Sequence, residues 1–311
     1  MNNIAPVLLQ RMAIIASRND CCTTHAHAGK GGLFLPTMRR TSTRLFAALV
    51  PRGSPRAGAF TNELPSGAAV TSTFRRTWQA AVQHDDDQAK RGFYALPTLR
   101  YSVANGVPPV WTAAQVEMLH RVMHQFYVDE TNRATLGSSL EAQPLDVVLR
   151  STAFDASRAG IHQAAAEFTN YNLMWQSVSP WGHAVHPELA QRLSLSTESG
   201  GVPPWEAVAA MSERLREAAV ASLQSGEGGW IYLVFGDGGG RQRDRLYVET
   251  GAPGHTPVTR DVTPLLTLNT QYPAWYLDYG HNPEAYVDNV LKALDWKFAW
   301  SVASEHLQTL Q

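Results

Sequence analysis

Residues 229–269 read GWIYLVFGDGGGRQRDRLYVETGAPGHTPVTRDVTPLLTLN, and this stretch decides the fold. Apolar, β-branched and aromatic residues are concentrated in Trp230–Phe235, Arg245–Thr250 and Leu265–Asn269, which predicts three β-strands. The glycine-rich segment Gly236–Gly240 separates the first two strands and favours a hairpin. No helix begins directly after this segment, so we interpret it as a turn rather than a phosphate-binding loop.

Helical patterns precede this sheet. Thr112 is a candidate N-cap, and the residues after it place apolar side chains on one helical face: Val116, Leu119, Met123 and Tyr127. An Ala-rich pattern with three large aromatic residues predicts a second helix from about Arg158 to Gln176. The two helices are expected to form a hairpin.

Further helices are predicted beside the sheet: a short one at Pro187–Leu193, an amphipathic one at Pro204–Leu223 and a final one at Pro283–Leu307. The ordered part is expected to begin near Leu96. The predicted fold class is therefore α+β, with an N-terminal helical hairpin and a C-terminal α/β domain that carries a three-stranded antiparallel sheet. The predicted boundaries are 1–95 for a leader and basic arm, 96–185 for the hairpin domain and 186–311 for the α/β domain.

The net charge of −1 conceals an uneven distribution. Residues 1–76 contain ten Lys and Arg against only Asp20 and Glu63, whereas the remainder contains 16 basic and 25 acidic residues. The opening has the composition of a mitochondrial transit peptide, with the apolar run Ile4–Leu9 followed by Arg11, which predicts a location in the mitochondrial matrix. Beyond about residue 30, composition alone leaves two interpretations open: a long presequence, or an extended arm that neutralises RNA phosphates.

Seven arginines are candidate RNA contacts. Five lie in the arm, at Arg39, Arg40, Arg44, Arg52 and Arg56, and two lie in the predicted strand hairpin, at Arg241 and Arg243. Two other clusters could hold a metal, and both are weak. Cys21 and Cys22 with His25 and His27 lack the spacing of a zinc module. The loop pair His183-x-x-His186 has no expected carboxylate close by, so surface polarity is the favoured interpretation.

Five short strings occur in order across about residues 96–308: His124-Gln125-x-Tyr127-Val128, Ala165-Ala166 with Asn170 and Trp175, Gly229-Trp230-x-Tyr232-Leu233-Val234, Thr263-Pro264-Leu265-Leu266-Thr267, and Tyr276-Leu277-Asp278-Tyr279. Together they resemble the iron/manganese superoxide dismutases. That resemblance implies a helical hairpin joined to an α/β domain, with a metal held between them by three His and one Asp.

The same resemblance places the four ligand positions in this chain at Leu119, Tyr171, Asn269 and Pro273. Leu and Pro offer no side-chain donor, Asn offers a neutral carbonyl, and a Tyr phenolate is costly to form at an ordinary pKa of about 10. A one-residue slip would bring His120 to the first position. The spacing to Tyr127 argues against the slip and favours His120 and His124 as surface or capping residues.

The family has a Glu beside its last ligand His that bridges to a partner subunit's His, and this Glu corresponds to Tyr272. Tyr127 and Trp230 match residues that line the family's pocket, and we expect them to serve as core aromatics. We expect no cofactor, no small-molecule substrate, no membrane association and no dismutase activity. Leu119, Tyr171 and Pro273 are expected to fill the former metal volume with apolar contacts.

Among metal-free members of this fold, the resemblance extends to the superoxide dismutase-like proteins of the mitochondrial ribosomal small subunit. It implies a structural role there, with a second superoxide dismutase-like subunit as heterodimer partner, other ribosomal proteins as neighbours, and ribosomal RNA reached by the basic arm. Two alternatives stay open: a subunit of another mitochondrial RNA–protein complex, and an active iron/manganese enzyme with relocated ligands.

Overall fold

Three strands form one antiparallel sheet in the computed structural model, which describes residues 94–196, 202–236, 245–260 and 262–309. The strands are β1 (Trp230–Gly236), β2 (Arg245–Gly251) and β3 (Val262–Asn269), in the order β2-β1-β3. Strand β1 lies at the centre and is buried along its whole length. The predicted α+β class, the three strands and the β1–β2 hairpin pairing are confirmed.

The register of the sheet brings Trp230 opposite Asn269. A bulge interrupts the β1–β3 ladder between Leu233 and Val234, where Val234 pairs with Pro264 and leaves Leu265 as the extra residue. Proline has no backbone N–H to donate to a ladder, so a bulge at this point is a physical consequence of the sequence. The bulge divides β3 into two regularly paired parts, and Asn269 lies in the second of them.

The helices follow one another in this order along the chain: α1 (Ala113–Glu117), a π-helical segment (Met118–His124), α2 (Gln125–Thr135), α3 (Leu145–Thr152), α4 (Ala159–Ser177), α5 (Pro187–Leu195), α6 (Pro204–Gln224), α7 (Tyr276–Tyr279), α8 (Pro283–Lys292) and α9 (Trp296–Thr309). Thr112 caps α1 as predicted, because its side chain accepts a hydrogen bond from the Gln115 backbone N–H.

The first two long helical elements pack as the predicted hairpin, with α2 against α4. Helix α3, which the sequence pattern did not predict, closes this hairpin and packs on α4. Their shared core includes Val128, Leu149 and Phe168, and Tyr94 lies edge-on to Phe168 with ring centroids 5.8 Å apart. This apolar core fixes α4, which also contacts β3.

The prediction of one continuous final helix is wrong, because the segment is two helices broken at residues 293–295. Leu294 and Asp295 leave helical geometry to form isolated bridges with Val178 and His183. The Asp295 side chain then begins α9 by accepting a hydrogen bond from the Phe298 backbone N–H at 3.0 Å. The capping and bridging contacts of these residues offset the lost helical turn.

Membrane-spanning helices need a long apolar stretch. Among the helices that the structure describes, none is both long enough and apolar enough to cross a bilayer. Of the region before Leu96, which was predicted to hold the leader, the arm and an acidic link, the structure describes only residues 94 and 95. The predicted boundaries in this region stay predictions.

Candidate functional site

The four positions implied for metal ligands all lie in the interior, where the hairpin meets the sheet. Leu119 and Asn269 are fully buried, Tyr171 is 1% exposed, and Pro273 is also buried. The elements that carry them touch in pairs: the π-helical segment contacts the turn Tyr272–Ala274, and α4 contacts β3. The Gln115 side chain ties the hairpin to this turn by donating a hydrogen bond to the Pro273 carbonyl oxygen at 2.7 Å.

Tyr171 is at the centre of an aromatic cluster. Its ring stacks on His124 with centroids 5.4 Å apart and an angle of 18°. Trp230 lies edge-on to it at 5.3 Å, and Tyr127 is tilted against it at 5.7 Å. Burial raises the pKa of the Tyr171 hydroxyl well above 10, with the nearby Tyr127 and Glu167 acting in the same direction. The phenol is therefore neutral near pH 7.

Asn269 is held by its backbone and by a local turn. Its carbonyl oxygen accepts a hydrogen bond from the Tyr286 hydroxyl at 2.6 Å, and its side-chain oxygen accepts one from the Gln271 N–H at 2.9 Å. The amide nitrogen lies near the Tyr171 hydroxyl, but within the described residues it makes no hydrogen bond of ordinary geometry. The side-chain oxygen, which is the atom of Asn269 best suited to bind a metal, thus already accepts a hydrogen bond from the chain itself.

The π-helical segment changes what the sequence predicted for two histidines. At its end the Gln125 backbone N–H reaches the carbonyl of His120, five residues back, so the turn there is wider than in a regular α-helix. Leu119, His120, Met123 and His124 all face the interior, and their i, i+1, i+4, i+5 spacing places them on one side of the helix. The prediction that His120 and His124 are surface or capping residues is wrong: they are 8% and 0% exposed.

The hydrogen bonds of these histidines define their tautomers. His120 donates from Nε2 to the Pro97 carbonyl oxygen at 2.7 Å, since a carbonyl can only accept. His124 accepts at Nδ1 from the Trp175 indole N–H at 3.2 Å, which leaves its proton on Nε2. Burial lowers the pKa of both imidazoles, that of His124 strongly. Both rings are therefore neutral near pH 7.

A buried carboxylate that the sequence pattern did not single out joins α4 to the sheet. Glu167 is 1% exposed and accepts hydrogen bonds from the Trp230 indole N–H at 3.0 Å and the Gly254 backbone N–H at 2.6 Å. The Gln271 amide lies 3.3 Å from its second oxygen. Burial raises the pKa of Glu167, and these donors oppose the rise. A single charged residue after three alanines, within an apolar helix, was the available signal.

The donor set at the four positions does not fit iron or manganese. These metals take imidazole nitrogen or anionic oxygen, whereas the interior here supplies two side chains without donors, one occupied amide and one neutral phenol. In the part of the chain that the structure describes, no three His, Cys, Asp or Glu side chains are grouped closely enough to hold a metal ion. No reaction step is assigned to a metal in this site.

The second His pair separates in the fold, and the expectation of no nearby carboxylate is wrong. His183 Nδ1 lies 3.0 Å from the Asp295 side chain, which comes from a distant part of the sequence. His186 instead stacks flat on Trp300 with centroids 4.4 Å apart and caps α5. The two imidazoles have different partners, so they do not form a paired site. The two cysteines, His25, His27 and the seven candidate RNA-binding arginines lie outside the described residues.

Comparisons with known proteins agree with this fold. Residues 203–302 match the family model for the C-terminal domain of iron/manganese superoxide dismutases. The iron superoxide dismutase of Synechocystis sp. is 30% identical over 206 residues, which cover 66% of this chain and 95% of that relative. The iron enzyme of Escherichia coli K12 is 26% identical over 206 residues, with the same shares covered. The chain therefore belongs to the iron/manganese superoxide dismutase family.

Proposed function

We propose that this protein is a non-catalytic structural component of the mitochondrial ribosomal small subunit, built on a superoxide dismutase fold. The observation that carries the loss of catalysis is the buried pair of donor-free side chains, Leu119 and Pro273, at two of the four ligand positions. Dismutation requires a metal that alternates between two oxidation states, and such a metal needs several strong ligands at once. The interior of this chain offers aromatic and aliphatic contacts instead.

The packing around Tyr171 supports a structural role for the same interior. In the family, the metal ties the hairpin to the α/β domain. Here the ties are Tyr171 against Trp230, Glu167 accepting from Trp230, and Gln115 donating to Pro273. Each of these contacts joins the hairpin to the α/β domain. The aromatic pair contributes about 0.5–1.5 kcal/mol beyond its area burial, and a hydrogen bond contributes about as much, so together the three contacts can take over a cross-linking role.

The assignment to the mitochondrial ribosome rests on the sequence and on class resemblance. The transit-peptide composition supports the mitochondrial matrix, and the basic residues before position 77 support contact with ribosomal RNA. The acidic remainder suits a peripheral protein that has mostly protein neighbours. Fold membership alone does not fix this function.

A diverged pairing surface supports a second superoxide dismutase-like subunit as partner. Tyr272 and Pro273 stand where the family places its Glu–His pair, so a symmetric dimer would lack the reciprocal bridge. Around them the chain is rich in aromatic and apolar side chains: Tyr272 packs on Tyr276 at 4.2 Å, and Leu277 is 37% exposed. Such a face can pair with a chain that presents different side chains, which favours a heterodimer.

Sedimentation of the tagged protein from mitochondrial lysate tests the ribosomal assignment. We expect co-migration with the small ribosomal subunit and release after RNase treatment. Mass spectrometry of the small-subunit fraction should identify a second superoxide dismutase-like chain in equal amount. A light fraction that RNase does not change would contradict the assignment and favour a free dimer. Co-migration with a different RNA–protein particle would favour the other mitochondrial complex.

A further inference from the structure

Trp181 is exposed where a tryptophan is normally covered. Its relative exposure is 73%, whereas Trp111, Trp175 and Trp230 are at most 3% exposed. Only Trp205, at 71%, is comparably open among the tryptophans that the structure describes. An indole is the largest apolar side chain, and leaving it in water gives up the free energy of its burial.

The backbone at Trp181 makes this exposure more informative. Its φ is +67°, in the left-handed region that favours Gly, Asn and Asp and is an outlier for a bulky residue. The strain is held by neighbouring backbone bonds: Trp181 N–H to the Pro108 carbonyl at 2.8 Å, and His183 N–H to the Leu294 carbonyl at 3.0 Å. The loop therefore presents the indole from a fixed and strained position, a pattern found at functional sites.

The segment that holds this loop carries positive charge. Gly182 lies directly against the backbone of Lys292 and Leu294. Lys292 and Lys297 are exposed, and within the described residues neither is paired with a carboxylate. The one carboxylate between these two lysines, Asp295, is buried and shared by Arg100 and His183. The net charge around Lys292 and Lys297 is therefore positive, although the chain beyond residue 76 is acidic as a whole.

We propose that Trp181 is a stacking platform for an unpaired base of single-stranded RNA, with the phosphates bound by Lys292 and Lys297. Proteins bind single strands with exposed aromatic rings and cations on neighbouring segments, because every base has a π-face and every nucleotide has a phosphate. A protein pocket would explain the apolar ring but would leave the unpaired lysines without a role. This inference goes beyond the proposed function, since it requires RNA but no ribosome.

Fluorescence anisotropy with a labelled single-stranded RNA of mixed sequence tests the proposal on the full chain. The variant is Trp181→Asn, because asparagine tolerates the positive φ and should fold with an equal or higher melting temperature. Trp205→Ala is the matched control, since Trp205 is equally exposed but is followed by Glu206. The wild type and every variant keep the same basic head, so a difference between their dissociation constants reports the exchanged side chain.

We expect Trp181→Asn to raise the dissociation constant by about tenfold or more, and Trp205→Ala to leave it unchanged. Trp181→Phe should recover most of the affinity, because it restores a stacking face. Equal affinity of wild type and Trp181→Asn would overturn the proposal and favour a protein partner at this loop. Sedimentation with the ribosome can succeed or fail independently of this result, so the two proposals are separately tested.

Discussion

The imidazole of His124 stacks on the phenol ring of Tyr171, with centroids 5.4 Å apart and an angle of 18°. One member comes from the π-helical segment and the other from α4. Both rings are neutral by virtue of burial. The pair is therefore an apolar contact made from two residues that would be polar at a surface.

The Tyr171 hydroxyl contributes little to stability if the ring acts by packing. Tyr171→Phe keeps the stack on His124 and the edge contact with Trp230, so the free energy of unfolding should change by less than about 1 kcal/mol. Tyr171→Ala opens a cavity in the same place and should cost about 3–5 kcal/mol. Urea denaturation of both variants measures the difference. Comparable losses in the two variants would show that the hydroxyl, not the ring, carries the contact.

The buried His124 should make stability fall in mild acid. Its folded pKa is lowered below 6.5, so the unfolded chain binds more protons in that window and stability is lost as pH falls below about 6.5. Replacing it by Phe keeps a ring on Tyr171 and should reduce the slope by up to about 1.4 kcal/mol per pH unit. Unfolding at pH 5.5 and 7.5 measures this, with the exposed His281→Phe as control. An unchanged slope in His124→Phe would contradict the assignment.

Glu167 should show the opposite dependence. Its folded pKa is raised above 4.5, so its contribution is present at low pH and is lost as pH rises from 4.5 through the folded pKa. Glu167→Gln keeps an acceptor for Trp230 and Gly254 without the buried charge, so its stability relative to wild type should improve from pH 5 to pH 8. Glu167→Ala leaves the Trp230 and Gly254 N–H groups without this acceptor and should cost about 2–4 kcal/mol. If the stability of Glu167→Gln relative to wild type fell between pH 5 and pH 8, the ionised carboxylate would have to stabilise the fold.

Apart from Glu167, Asp295 is expected to be the carboxylate whose removal costs the most stability. It accepts from Arg100 and the Phe298 backbone, and it lies 3.0 Å from His183 while its side chain is 3% exposed. Asp295→Ala should lower the free energy of unfolding by about 2–3 kcal/mol through the lost cap and the unpaired contacts. Asp288→Ala is the control, because its pair with Arg216 is at the surface and should matter little. Equal effects would mean that Asp295 is only another surface charge.

Much of the fold could be predicted because the signals were local. The β-branched and aromatic runs at Trp230 and Leu265 indicate strands, and Thr112 marks a helix start. The break before Trp296 could not be predicted, because Asp295 is stabilised by Arg100 and His183, which are far away in sequence. Sequence periodicity treats the pattern from Pro283 onward as continuous, whereas tertiary contacts decide where the helix ends.

The residues that occupy the ligand positions could be predicted from the sequence, but the burial of the residues beside them could not. The substitutions at Leu119 and Pro273 are visible in the sequence, and both residues are buried. The burial of His120 was not predicted, because the resemblance gave the first ligand position to Leu119 and His120 was therefore assigned to the helix surface. The π-helical hydrogen bond from Gln125 to His120 was not predicted either, because nothing in the local composition encodes the wider turn.

The metal content of the purified protein tests whether the four replacements have abolished the metal site. The full chain is produced in medium supplemented with iron and then with manganese, purified without chelator, and analysed for bound metal and for superoxide dismutation. The donor-poor interior around Leu119 and Pro273 predicts far less than one metal ion per chain and no activity above that of buffer. About one iron or manganese ion per chain, with measurable dismutation, would contradict the account.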